Sequence, residues 1–216
     1  MRSLNSYNKI VIKIGSAVLA GSNGLINHSI LASISEDIAW LLKNGKEVLI
    51  VSSGAIALGR KKIKLSENLT LAESQALAAH GQIELMSAWK KHLNKFSIPI
   101  GQILLTPRDT ELKLSSKNAQ QTVSKLLEAG CLPIINENDS TATDEIRFGD
   151  NDLLAAKVAK LIGADLVIIL STLDGLYASE EDVQTRKLSS LIKEVSKITP
   201  KIKKMAGHAS QMGKGG

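Results

Sequence analysis

A chain of 216 residues, 44% hydrophobic and 22% charged, has the composition of a globular protein, and none of its apolar runs reaches the length of a membrane span. The formal charge of +6 and a pI near 9.3 suit an anionic partner, but aromatic residues make up only 3%, too few for base-stacking platforms, so a basic RNA-binding module is the weaker reading. A single cysteine, Cys131, excludes an internal disulfide and the first residues carry no apolar signal core, so a cytoplasmic protein of one domain is expected.

Asn8 to Gly15 is a β-branched run, the pattern of a strand buried in a parallel sheet. Lys13 stands inside it. Burying an ammonium is costly unless an anion meets it, and an edge strand with Lys13 turned to water is the alternative. From Asn27 to Asn44, Ile30, Leu31, Ile34, Ile38, Leu41 and Leu42 form the apolar stripe of a helix, with Gly45 placed for a left-handed cap. Lys46 to Gly54 repeats the buried-strand pattern and ends in Ser52, Ser53 and Gly54, and a helix starts at Ala55. Thr70 and Glu73 have capping-box spacing and open a long helix reaching about Asn94. His80 and His92 lie on it with no other ligand candidates at metal spacing, so no protein metal site is expected.

Ile98 to Leu105 is a third strand, broken by Thr106 to Asp109, and a helix from about Ser116 to Ala129 closes at Gly130. Leu132 to Ile135 is a fourth strand. It runs into four polar residues, Asn136, Glu137, Asn138 and Asp139. The polar stretch from Ser140 to Phe148 suits a hairpin or lid, and Asp150, Asn151 and Asp152 then open a helix to Ile162. Ala164 to Ser171 is a fifth strand, followed by a lysine-rich tail with a helical signal over Lys197 to Ala206. Strands alternating with helices predict an α/β fold, a three-layer αβα sandwich around a mostly parallel sheet.

Four strand ends carry the candidate chemistry: Lys13 to Ser16, Ser52 to Ala55, Asn136 to Asp139 and Ser171 to Gly175. Ligands of parallel α/β sheets bind beyond the carboxyl ends of the strands, where glycine turns and helix N-termini favour anions. Asn and Asp also suit plain turns and helix caps. No Gly-x-Gly-x-x-Gly follows the first strand. The nearest approach to a Walker A motif, Gly207 to Lys214, has the wrong spacing and Gly215 in place of Ser or Thr. No histidine accompanies Ser52, Ser53 or Cys131 as it would in a nucleophilic triad.

Val11-Ile-Lys-Ile-Gly-Ser16, Val51-Ser-Ser-Gly-Ala-Ile56, Gly101-Gln-Ile-Leu-Leu-Thr106, Pro133-Ile-Ile-Asn-Glu-Asn-Asp139, Phe148-Gly-Asp-Asn-Asp-Leu-Leu154 and Asp174-Gly-Leu-Tyr177 together resemble the glutamate-phosphorylating branch of the amino acid kinase family, from about Lys9 to Gly216. The resemblance implies ATP-dependent phosphorylation of the side-chain carboxylate of L-glutamate to L-glutamyl 5-phosphate, the first step of proline synthesis. ATP with Mg2+ would be the cofactor, proline a feedback inhibitor, and the protein a homo-oligomer without membrane or nucleic-acid partners.

Carried over by position, Lys13 would touch the transferring phosphoryl group and Asp152 would orient that lysine. Ser53, Asp139 and Asn151 would hold the amino acid with Asn136 close by, and Ser171, Thr172, Gly215 and Gly216 would lie along the nucleotide. In the family the glycine-rich segment around Gly213 continues to a lysine that contacts ATP. Here the sequence reaches Gly216 first, and Lys214 stands in a different register. The expectation is therefore a kinase domain over 1–216, incomplete at its C-terminal end and without the RNA-modification-type domain of many members. An amino-acid-binding remnant without turnover is the alternative.

Overall fold

The computed structural model describes residues 4–21, 24–65, 68–141 and 151–205. Strand β1 (Lys9–Ile14) leads through a single helical turn, α1 (Ser16–Leu19), to α2 (His28–Lys43). Strand β2 (Glu47–Ser52) is followed by α3 (Ala55–Lys62) and the long α4 (Leu71–Leu93). Next come β3 (Ile100–Leu105), α5 (Pro107–Glu111), α6 (Lys113–Glu128) and β4 (Leu132–Glu137). The chain continues through α7 (Asn151–Ile162), β5 (Leu166–Leu170) and two short helices, α8 (Glu180–Gln184) and α9 (Pro200–Lys204).

The described strands form one sheet in the order β3-β4-β2-β1-β5, and each pairing is parallel. Parallel neighbours cannot be joined by a tight turn, so helices fill the crossovers and cover both faces. Alternation along the strands sorts the core in two. Ile10, Ile12, Ile14, Val48, Ile50, Leu132 and Ile134 pack with Leu31, Ile34 and Ile38 of α2 and Leu85, Trp89 and Leu93 of α4. Val11, Leu49, Val51, Ile103 and Ile135 pack with Val123 of α6 and Leu154, Val158 and Ile162 of α7. Each fully buried aliphatic side chain contributes about 1.5–3 kcal/mol over its exposed state. Strands β1 and β2, buried at all but their first residues, are thereby fixed in the centre of the sandwich together with their carboxyl ends.

Helices α3 and α4 meet backbone to backbone. A Cβ added at Gly59 would stand 2.1 Å from the Leu77 carbonyl oxygen, and one at Gly81 would stand 1.8 Å from that of Ala55. Only glycine permits this approach, which brings the middle of α4 beside the end of β4. At the opposite edge of the sheet, Asp165 Oδ2 accepts hydrogen bonds from the backbone N–H of Asn8 (2.8 Å) and Lys9 (2.9 Å). The Lys9 and Asn8 amides hold this carboxyl below the usual carboxylate range.

The capping box at the start of α4 is formed: Glu73 N donates to Thr70 Oγ1 at 3.2 Å and Thr70 N to Glu73 Oε2 at 2.8 Å. His92 is buried, with Nε2 3.0 Å from Nδ1 of His28, and burial followed by the His28 charge pushes its pKa down. Two boundaries differ from expectation. Thr106 to Asp109 does more than end β3, because Pro107 opens α5 and Asp109 Oδ2 accepts from Thr106 N at 2.7 Å. The next helix then begins at Lys113 rather than near Ser116, whose N–H already bonds the Leu112 carbonyl at 2.8 Å. In the tail the helical signal narrows to Pro200–Lys204. Most of the expected hairpin or lid lies outside the described residues. No described helix is long and apolar enough to cross a membrane.

Candidate active site

The last turn of β1 carries Lys13 into the α7 side of the sheet, where it is 7% exposed. A buried ammonium needs a counter-charge, and Asp152 supplies it: Lys13 Nζ lies 2.5 Å from Asp152 Oδ1. Asp152 sits in the first turn of α7, where the helix dipole favours a carboxylate. Removing Asp152 would leave the buried Lys13 ammonium without its counter-charge, which is destabilising. A Cβ at Gly15 would stand 3.7 Å from Lys13 Nζ, in ordinary van der Waals contact with it.

Beside the ion pair runs a chain of amides. Asn151, first residue of α7, donates both hydrogens of Nδ2, one to Ser53 Oγ at 2.6 Å and one to Asn136 Oδ1 at 3.1 Å. Asn136 Oδ1 also accepts the backbone N–H of Glu137 at 2.9 Å, and Asn136 Nδ2 donates to Gln82 Oε1 at 2.9 Å. These bonds fix the amide orientations. The Glu137 N–H can only donate, so Asn136 must present oxygen to it and nitrogen to Gln82, and Gln82 must present oxygen in return. Two atoms are left over at the ends. Gln82 Nε2, a donor, and Asn151 Oδ1, an acceptor, are both buried without a hydrogen-bond partner among the described residues.

The turn after β2 brings Ser53 to this place. Gly54 has φ +108°, left-handed backbone that permits the chain to enter α3 directly, and a Cβ there would face Ser16 Cα at 3.8 Å. Ser53 N donates to the Ile14 carbonyl at 3.1 Å, tying the ends of β1 and β2 together. Behind it, Ser52 Oγ accepts Trp89 Nε1–H at 3.0 Å, which satisfies a wholly buried indole. At the end of β4 the half-buried Asp139 joins Glu137, Gln82, Leu104, Ala55 and Ala78 around a small cleft.

The fold thus brings Lys13, Ser53, Asn136, Asn151 and Asp152 into one contiguous set, with Asp139 at its β4 end. Asn136, 2% exposed and bonded on every side, is its hub. Ser171 and Thr172 are exposed just past β5, the strand next to β1. Gly215 and Gly216 lie outside the described residues. Among the described residues there is no group of three or more His, Cys, Asp and Glu placed to hold a metal ion.

The family model of the amino acid kinase family matches residues 8–216. The chain belongs to that family. Across its whole length it is 50% identical to a glutamate 5-kinase of Allorhizobium ampelinum, 49% to one of Agrobacterium fabrum and 50% to one of Sinorhizobium fredii. In each case it covers 55% of the relative, so the chain spans about half the length of these curated proteins. The polar set at the carboxyl edge of the sheet thus lies in a chain of the amino acid kinase family.

Gln82 was not legible as a site residue. It sits in an Ala- and Leu-rich helix, and nothing local sets it apart from a solvated glutamine. The adjacent Gly81, unusual in the interior of a long helix, is the one sequence signal that pointed to a close approach there.

Proposed function

We propose that the chain binds L-glutamate and ATP and transfers the terminal phosphoryl group to the glutamate side-chain carboxylate. The product is L-glutamyl 5-phosphate, the first intermediate of proline synthesis. The pairing of buried Lys13 with half-buried Asp152, beside the Asn151–Ser53 hydrogen bond, is the observation that supports this most directly. Identity near 50% to glutamate 5-kinases over the whole chain agrees with it.

A glutamate side chain has a pKa of about 4.3, so the nucleophile is already ionised at neutral pH and no general base is needed. One carboxylate oxygen forms a new P–O bond while the bond from that phosphorus to the ADP oxygen breaks, and ADP leaves with the electron pair. What remains for the protein is positioning and charge stabilisation. Lys13 meets the charge of the transferring group, and Asp152 keeps its ammonium aimed. Asp139 takes the substrate ammonium. Ser53 and Asn151 hold the amino acid, with Asn136 locking both in place. Ser171 and Thr172, exposed just past β5, border the nucleotide. Magnesium, held mainly through phosphates and water, would neutralise phosphate charge.

The purified chain is expected to release ADP only when L-glutamate is present. Asp152→Ala should lower kcat on the order of a hundredfold with little change in glutamate affinity, while Asp139→Ala should mainly raise the glutamate KM. The reverse pattern would refute these roles. Calorimetric binding of glutamate without binding of ATP would instead identify an amino-acid-binding unit without turnover.

A further inference from the structure

We infer that Gln82 reads the α-carboxylate of the amino-acid substrate through its Nε2–H, an assignment that rests on the glutamate reading of the site. Gln82 is 8% exposed, and its amide is oriented by Asn136 so that the oxygen is used and the nitrogen is not. A buried donor without an acceptor costs about 1–3 kcal/mol, a penalty a bound ligand oxygen would remove. Gln82 lines the cleft at the end of β4 with the carboxyl groups of Glu137 and Asp139. The cleft, about 10 Å³, has room for about one oxygen atom at the amide, and the ammonium of the same zwitterionic head group suits the carboxyl groups.

Position along the sheet decides which end of the substrate is read. Lys13 is on β1 and Asn136 on β4, with β2 between them, so two strand spacings, roughly 10 Å, separate their backbones. A glutamate whose side-chain carboxylate lies near Lys13 and whose chain crosses β2 directs its α-carbon end toward β4 and Gln82. The same network offers Asn151 Oδ1, the other unpartnered atom, as an acceptor between the two ends.

The test compares L-glutamate with 4-aminobutyrate, which keeps the ammonium and the reacting carboxylate but lacks the α-carboxylate. Dissociation constants are measured by calorimetry on the full chain and on Gln82→Met and Gln82→Glu, the second of which retains an acceptor for Asn136. Both variants should weaken glutamate binding about tenfold to a hundredfold, while Gln82→Glu, which keeps an acceptor for Asn136, leaves 4-aminobutyrate at its own weaker, wild-type affinity. Undiminished glutamate binding would overturn the assignment. Equal weakening of both ligands in Gln82→Glu would also overturn it, because it would show that Gln82 only braces Asn136. If Gln82→Met fails to fold, Gln82→Glu carries the comparison. A wild-type chain that binds neither ligand removes the glutamate reading itself, and the assignment falls with it.

Discussion

Gly81→Ala isolates the close approach that places Gln82. The added Cβ would lie 1.8 Å from the Ala55 oxygen and 2.7 Å from both the Ala55 carbonyl carbon and the Gly59 nitrogen, where ordinary contact begins at 3.4 Å. All three are backbone atoms of α3 or its first turn, so no side chain can swing aside and the helices must separate. Overpacking of this kind costs about 1–3 kcal/mol, and rigid backbone on both sides puts this case at the upper end. Alanine regains about 0.8–1 kcal/mol of helix propensity over glycine. The net expectation is a loss of about 2 kcal/mol, or a fall in Tm of roughly 4–8 °C for a chain of this size. Thermal unfolding followed by circular dichroism measures it. Gly130→Ala is the control, because Gly130 has φ +68° with nothing within 4 Å of a Cβ, so only backbone strain of about 1–2 kcal/mol is paid there. A Gly81→Ala protein as stable as wild type would refute the steric account of the α3–α4 contact. Because Gln82 is the next residue, the variant should also bind glutamate more weakly.

Asn136→Ala removes the hub of the amide network and takes away the partners of Gln82 Oε1 and one Asn151 hydrogen. It is expected to cost about 2–4 kcal/mol in urea unfolding, and a loss under 1 kcal/mol would show that the network is not coupled. Asp165 has a folded-state pKa below its unfolded value of about 3.9, so its stabilising effect is complete above that value and is lost as pH falls through the folded pKa. Asp165→Asn should therefore lower stability at neutral pH and flatten the acid limb of the stability profile below about pH 4, and an unchanged acid limb would contradict this. His92 is also depressed, chiefly by burial, so the stability held by its neutral form is present above about pH 6.5 and declines as pH falls below it. His92→Gln should remove that slope below about pH 6.5 in denaturant titrations.

Much of this molecule is written locally. The β-branched runs at Ile10–Ile14 and Val48–Val51, the helical stripe of α2, and the Thr70–Glu73 capping box depend on neighbouring residues, so periodicity and cap chemistry are enough to place them. Glycine turns at the strand ends are legible for the same reason: backbone conformation is a local property. Lys13 inside an apolar strand signals that an anion must meet it, because the cost of burying a charge does not depend on which partner is found.

Tertiary structure alone decided who the partners are. Asp152 reaches Lys13, Asn151 reaches Ser53 and Asn136, and Asn136 reaches Gln82 across sequence separations that no local pattern encodes. The strand order β3-β4-β2-β1-β5 sets which ends stand side by side. Two glycines then let α3 and α4 touch, which carries Gln82 to the cleft. By itself the sequence determined an α/β sandwich with its chemistry at one edge. Packing determined which atoms of that edge are satisfied and which are left without a partner, because hydrogen-bond satisfaction is a property of neighbours in space.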